Sequence, residues 1–256
     1  MTVSAPLISK KVKAGQFIIL RIDEKGERIP LTVADFDTIN GTLTIVFQAI
    51  GFSTKRLATL NKGDFIADVV GPLGQPTELG TPKKAIVIGG GVGCAIAYPQ
   101  AKALYNMGVD TTVIAGFRNR DIVILEEEMS KVSNNLYITT DDGSYGQKGF
   151  VTDVLKELIS KDSYDLVIAI GPVPMMKFVA KTTEEQGIKT LVSLNPIMID
   201  GTGMCGGCRV KVGGEIKFAC VDGPDFDGHQ VDFDELMRRN SLFKEEEAHA
   251  CRMEAF

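Results

Sequence analysis

The 256-residue sequence has no block of basic residues, no long apolar span and no spread of paired cysteines. Each absence excludes a class of function. Lys and Arg number 28 against 33 Asp and Glu, for a net charge of −5, which favours neither nucleic acid nor an anionic membrane surface. The longest apolar stretch, Ala85 to Tyr98, is broken by glycines and is too short to span a bilayer. The opening Met1-Thr-Val-Ser-Ala-Pro has no apolar signal region, which predicts a cytoplasmic protein. The only histidines, His229 and His249, stand in the last segment, and no acid–base triad is visible. Cysteine is sparse and unevenly placed. Of Cys94, Cys205, Cys208, Cys220 and Cys251, three crowd into one short window. A disulfide framework would be even in number and better spread, whereas such a cluster in a reducing compartment more often binds metal.

What is present divides into three textures. With 44% hydrophobic residues, the chain is long enough to bury more than one core. Residues 1–81 read as short strands and turns. Gly15 to Asp23, Thr42 to Gln48 and Asp64 to Val70 are rich in β-branched and aromatic residues, with turns such as Asn40-Gly41 between them. Strands at this spacing predict a small β-barrel. Residues 82–195 alternate strand and helix. Strands are predicted at Lys84–Gly89, Thr111–Phe117, Leu136–Thr140, Leu166–Gly171 and Thr190–Leu194. Helices are predicted at Ala95–Met107, from Glu126 onward, at Val151–Ser160 and at Val173–Gln186. This alternation implies a parallel sheet with helices on both faces. Residues 196–256 are glycine- and cysteine-rich and end in a charged stretch, Asp232–Ala250, that reads as helical. The expected fold is a β-barrel domain, then an α/β parallel-sheet nucleotide-binding domain, then a small C-terminal cluster-binding domain.

The sharpest signal is Cys205-Gly-Gly-Cys208, then eleven residues, then Cys220. Plant-type 2Fe–2S sites use C-x4-C-x2-C plus a distant cysteine. Here the position five before Cys205 is Asp200, giving D-x4-C-x2-C-x11-C. Gly201, Gly203, Gly206 and Gly207 suit a loop that turns its amides toward sulfur. Asp200 would supply an oxygen ligand, a harder donor than thiolate. Zinc is the competing metal, held by Cys205, Cys208, Cys220 and His229 or Cys251, but the second C-x-x-C or C-x-x-H usual in zinc ribbons is absent. Three plain core cysteines fit least, because C-G-G-C lies in a glycine loop. Cys94 reads as a small packing residue.

Ile86-Val-Ile-Gly89-Gly-Gly-Val-Gly93-Cys94 is a strand, a glycine turn and a helix start. Such a turn brings backbone amides and a helix N-terminus up to a pyrophosphate. It is not G-x-G-x-x-G, because Cys94 holds the third glycine's place, and it is not a P-loop, since no Lys-Ser/Thr follows. The acidic residue that usually reads the ribose is missing after the second strand, which ends Gly116-Phe-Arg118-Asn-Arg120. Those arginines suit either a 2′-phosphate or solvent, so NADH and NADPH stay open on the residues alone.

Taken together, these residues carry a resemblance. Arg28-Ile-Pro-Leu-Thr32 resembles the Arg-x-x-Ser/Thr flavin motif of the ferredoxin-NADP reductase superfamily, and Gly51-Phe-Ser-Thr-Lys55, Gly71-Pro-Leu-Gly74, Gly89–Gly93 and Gly171-Pro-Val-Pro-Met-Met176 fit the same plan. The order of segments resembles the electron-transfer subunit of dihydroorotate dehydrogenase B. It resembles still more closely the small subunit of NADH-dependent ferredoxin:NADP+ oxidoreductase, an electron-bifurcating transhydrogenase with relatives called sulfide dehydrogenase subunits. Asp200 distinguishes the two, since the first family has four cysteines and the second an Asp plus three Cys.

The resemblance implies FAD, NAD(H) and a 2Fe–2S cluster as cofactors. Arg28 would pair with the FAD pyrophosphate and Thr32 would lie at the catalytic position near the flavin N5. Pro30, Leu31, Gly51, Ser53, Thr54, Gly71 and Pro72 complete the flavin set, with Ser53 and Thr54 opening a short helix. Gly90, Gly91, Val92, Gly93, Arg118, Asp141, Asp142, Gly171, Pro172 and Met175 would contact the nicotinamide nucleotide at the sheet edge. Asp200, Cys205, Cys208 and Cys220 would hold the cluster. The implied partner of the heterodimer is a large flavin and 4Fe–4S subunit, whose own flavin would be the place of bifurcation. The alternatives in function are the dihydroorotate electron-transfer subunit, a stand-alone NAD(P)H reductase and a non-redox zinc module. The resemblance also implies a strand ahead of Ala14-Gly-Gln-Phe17, and the chain's late start leads us to expect either a misassigned start or a barrel in which that strand is missing.

Overall fold

The structure, a computed structural model, describes residues 1–253. The first region holds β1 (Thr2–Ser4), α1 (Pro6–Ser9), β2 (Phe17–Arg21), β3 (Ile29–Asp37), β4 (Thr42–Ile45), α2 (Phe52–Ala58) and β5 (Asp68–Leu73). The strands pair antiparallel in the order β1-β4-β3-β2-β5. Three features depart from expectation. The strand expected to be missing is there: β1 sits at the end of the sheet and aligns Thr2–Ser4 with Thr42–Thr44. β3 is a strand that Pro30 hid. Pro30 pairs with Ile19 of β2, while β4 joins β3 only from Val33, so the proline sits where β3 has a partner on one side alone. β5 starts at Asp68 rather than Asp64, because Asp64 Oδ2 accepts the Asn61 amide at 2.7 Å and folds residues 61–64 into a turn. Its Pro72 is tolerated at the sheet's edge.

Alternation along β2 divides its side chains between two cores. Ile18 and Leu20 pack with Val33, Leu43, Ile45 and Leu57 inside the first region. Phe17 and Ile19 face the other way, into the core of the rest of the molecule. Each such buried side chain contributes about 1.5–3 kcal/mol.

The second region holds β6 (Lys84–Gly90), α3 (Gly93–Asn106), β7 (Asp110–Phe117), α4 (Glu126–Lys131), β8 (Asn135–Thr140), β9 (Gln147–Lys148), α5 (Val151–Lys161), β10 (Leu166–Ile170), α6 (Val173–Glu184) and β11 (Lys189–Ser193). The third holds β12 (Arg209–Val212), β13 (Glu215–Phe218), β14 (Asp225–Asp227), α7 (Phe233–Asn240) and α8 (Lys244–Met253). The large sheet runs β14-β11-β10-β6-β7-β8-β9 and is parallel except for β14. In β6, Ala85 and Val87 pack against the α3 and α4 side, and Ile86 and Ile88 against the α5 and α6 side. Helices therefore cover both faces, and α3 continues through the buried Pro99. The chain passes from β6 outward through β7 and β8, and returns to β10 on the other flank. The resulting switch point, beyond the C-terminal ends of β6 and β10, is where such sheets bind ligands.

The third region supplies two features that the sequence reading did not include. β12 and β13 form a hairpin whose turn, Gly213-Gly214, has φ of 59° and 83° at the two central residues. β14 adds an antiparallel edge strand to the large sheet. The charged C-terminal stretch is two helices, because the Ser241 hydroxyl bonds the Arg238 carbonyl at 2.8 Å and ends α7. One core unites all three regions, joining Phe17 and Ile19, Ile86 and Ile88, and Cys208, Cys220 and Phe226. Among the described residues, no helix is long and apolar enough to cross a membrane.

Candidate functional site

The glycine turn leaves β6 at Gly90 and enters α3 at Gly93, with Val92 as the helix N-cap. Its neighbours explain the residue type. A Cβ at Gly93 would lie 2.5 Å from the Ile170 carbonyl oxygen, and one at Gly90 would lie 2.5 Å from Met175 Sδ and 3.0 Å from Pro172 Cδ. A Cβ on Gly171 would in turn lie 3.1 Å from Gly90 Cα. The turn after β6 and the one after β10 are thus in backbone contact across the switch point. Pro172 caps α6. Cys94 is fully buried, and burial pushes its thiol up to about 12, which fits a packing residue and not a nucleophile.

On the other flank, Arg118 and Asp141–Asp142 extend the same edge. The Asp141 amide bonds the Phe117 carbonyl at 3.0 Å and the Asp142 amide bonds the Arg118 carbonyl at 3.3 Å, so the ends of β7 and β8 are tied together. All three side chains are exposed. The Ser144 hydroxyl and amide hold the Asp142 carboxyl below the usual carboxylate range. A cavity of about 380 Å³ opens beside these loops, lined by Arg120, Leu125, Glu126 and Tyr145 among others. Tyr145 donates to Glu126 Oε1 at 2.8 Å, and the Arg120 guanidinium lies 5.4 Å from the Tyr145 ring centre.

In the first region, Arg28 stands just ahead of β3, exposed and with no hydrogen bond or ion pair among the described residues. It stands four residues before Thr32, one more than the Arg-x-x-Ser/Thr motif has. The period of the strand puts Pro30 and Thr32 on one face and Leu31 on the other. Thr54 Oγ1 accepts the Gly51 amide at 3.1 Å and caps α2, while the Ser53 hydroxyl is turned to Glu27. Gly71 and Pro72 lie in β5 beside Ile18. The helix that begins at the glycine turn also packs on β3, where Lys102 meets Asp35 at 2.8 Å.

The cysteine loop lies against the opposite face of β2. A Cβ on Gly201 would come 2.6 Å from Ile19 Cδ1 and 2.8 Å from Leu73 Cδ1. Cys208 and Cys220 are buried, with Cys208 Sγ 3.1 Å from Cys220 Sγ. Burial, and then the neighbouring Cys208, push the Cys220 thiol up to about 12. Cys205 is exposed, and its Sγ accepts the Gly207 amide at 3.4 Å. Asp200 bridges its own loop. Oδ1 accepts the Thr202 amide and Oδ2 the Cys205 amide, each at 2.8 Å, and the Thr202 bond leads in holding its carboxyl below the usual range. Among the described residues, no three His, Cys, Asp or Glu side chains are gathered tightly enough to hold a single metal ion. Two thiols pressed together, a third with an amide aimed at its sulfur and a carboxylate at the loop's entry form a donor set that fits an iron–sulfur cluster.

Neither Gln100 nor Asp225 stood out in the sequence. Asp225 Oδ2 accepts from Thr77 Oγ1 at 2.5 Å and from Gln100 Nε2 at 3.2 Å, tying the third region to the segment between β5 and β6 and to α3. Burial drives the Asp225 carboxyl above its ordinary range.

Two family models match the chain: the iron–sulfur cluster binding domain of dihydroorotate dehydrogenase B over residues 195–232, and an oxidoreductase NAD-binding domain over residues 87–181. The chain is 48% identical over 245 residues to a Thermotoga maritima homologue of the dihydroorotate dehydrogenase B (NAD(+)) electron-transfer subunit, covering 96% of this chain and 86% of that one. It is 34% identical to the dihydroorotate dehydrogenase B electron-transfer subunit of Fusobacterium nucleatum, covering 86% and 87%. It superposes on a chain of the NADH-dependent reduced ferredoxin-NADP oxidoreductase structure with a TM-score of 0.94 at 45% identity, covering 98% of this chain and 91% of that one.

Proposed function

The chain belongs to the family of dihydroorotate dehydrogenase B electron-transfer subunits and their homologues, with an NAD-binding and an iron–sulfur-binding domain, and from that premise we propose that it relays electrons between NADH and a large partner subunit through FAD and a 2Fe–2S cluster. The observation that carries this reading is the shared core. β2 has one face toward the cysteine loop, and β3 beside it carries Thr32 and packs on the helix of the nucleotide turn.

FAD, where bound, would supply the link between the two-electron chemistry of a nicotinamide and the one-electron chemistry of a 2Fe–2S cluster. The residues position and shield. The amides of Gly90–Gly93 at the start of α3 would bind the pyrophosphate of NADH, while Gly171, Pro172 and Met175 cover the turn and Arg118, Asp141 and Asp142 hold the far end of the nucleotide. The unpaired Arg28 guanidinium is free to take an FAD phosphate in a bidentate bond, with Gly51, Ser53 and Thr54 on the helix beside it. Pro30, Leu31, Gly71 and Pro72 would wall the flavin, and the Thr32 hydroxyl is a donor or acceptor for its reacting nitrogen. Asp200, Cys205, Cys208 and Cys220 would hold the cluster, with Cys205 on the solvent side. Exposed Met204 and Ile199 flank that exit, which suits contact with a partner subunit.

We assign the partner as the large subunit of a ferredoxin:NADP+ transhydrogenase, supported by Asp200 in the ligand set and by the extent of the structural match. The alternative, a dihydroorotate dehydrogenase catalytic subunit, is favoured by the match over residues 195–232. Co-purification from the native source distinguishes them. The function itself is tested by metal and flavin analysis with an anaerobic NADH titration. Two irons per chain, one FAD and loss of both visible bands on adding NADH are expected. Zinc in place of iron, or a colourless protein, overturns the reading.

A further inference from the structure

The last turn of α7 backs the loop Cys205-Gly206-Gly207-Cys208. Arg239 Nη2 donates to the Gly207 carbonyl at 3.2 Å, and the Gly207 amide donates to Cys205 Sγ at 3.4 Å. One glycine residue is thus gripped from both sides, by a guanidinium and by a candidate cluster ligand. Arg239 Nε is buried without a hydrogen-bond partner, and its charge has no ion-pair partner among the described residues. Arg239 and Cys205 line the same cavity of about 310 Å³, walled by Ile197, Leu242 and Phe243. The buried Nε lies where charge is screened less than in bulk water.

Building on the iron–sulfur reading, we infer that Arg239 is a positioning residue that fixes the Gly207 amide toward Cys205 and raises the reduction potential of the cluster through its unpaired charge. Reduction adds one negative charge to a cluster already bound by anionic ligands. A fixed cation beside it, and an amide aimed at a ligand sulfur, both favour the reduced form. Arg209 lines the same cavity but is exposed, and water screens its effect.

The test is an EPR-monitored redox titration of the cluster-loaded full chain as wild type, Arg239→Gln, Arg239→Lys and Arg238→Gln. Glutamine keeps a donor for the Gly207 carbonyl and removes the charge. The reduction equilibrium of Arg239→Gln is expected to move about tenfold toward the oxidised cluster, about 59 mV for one electron. Arg239→Lys keeps the charge and stays within about twofold of wild type. Arg238→Gln, on the exposed side of the same helix, leaves the potential unchanged. An Arg239→Gln potential equal to wild type, or an equal shift in Arg238→Gln, overturns the inference. If Arg239→Gln loads no cluster, Arg239→Lys decides: a wild-type potential sustains the charge role and a lowered one overturns it. A wild type with no 2Fe–2S signal would instead remove the iron–sulfur reading itself.

Discussion

The nucleotide turn and the cysteine loop are both rich in glycine, and their surroundings ask different things of it. At Gly93 the demand is space. An added Cβ would lie 2.5 Å from a backbone carbonyl that cannot move without shifting β10. At Gly206 the demand is conformation. Its φ is +67°, and the nearest atom to an added Cβ is a Phe218 ring carbon at 3.8 Å. The nucleotide turn is set by packing against two strands, and the cysteine loop by glycine conformation and a few hydrogen bonds.

The contrast breaks most sharply on Cys208. Cys208→Ser is expected to abolish the 2Fe–2S visible and EPR signals while flavin reduction by NADH stays within about twofold. Loss of NADH binding in that variant would mean that the two regions form one site. Gly93→Ala probes the other half. Overpacking of this kind costs about 1–3 kcal/mol, and NADH affinity should fall by at least about fivefold while cluster content holds. Equilibrium binding and iron analysis on one preparation decide it. Gly206→Ala is the conformational counterpart. The left-handed backbone costs about 1–2 kcal/mol with an alanine, so cluster occupancy falls and NADH affinity does not. A Gly206→Ala variant with full cluster content would show that the loop is not set by its backbone.

The smallest expected effect falls on the junction between the two regions. In the native state, burial raises the Asp225 carboxyl above its ordinary 3.8, so the folded chain keeps a proton that the unfolded chain has lost. Stability is therefore full below that value and declines as pH rises toward the raised native one. Asp225→Asn, which retains the shape and an acceptor, should flatten the decline in denaturant midpoint as pH rises above the ordinary carboxylate range. A decline of wild-type slope in the variant would assign it to other groups.

The parallel sheet was legible because buried strands are continuous apolar runs bounded by glycine; β6, β7, β8, β10 and β11 fall within one residue of expectation, while the short β9 was not expected. β3 was hidden by Pro30, which reads as a strand breaker until the pairing on its two sides is known. The β12–β13 hairpin was legible in Arg209–Phe218, where alternating residues flank Gly213-Gly214, but the cysteines drew the reading to metal binding instead. The glycine turn and the thiols could be named from local spacing. Gln100 with Asp225, 125 residues apart, and Arg239 with Gly207, 32 apart, could not, because only the fold brings them together.

The central claim is that FAD stands between NADH and the cluster. Its most direct test is EPR of cluster-loaded, flavin-stripped protein mixed anaerobically with NADH, before and after FAD is restored. No reduced-cluster signal without FAD, and a full signal once it is added, is the predicted result. A reduced cluster appearing in the flavin-free protein would contradict it.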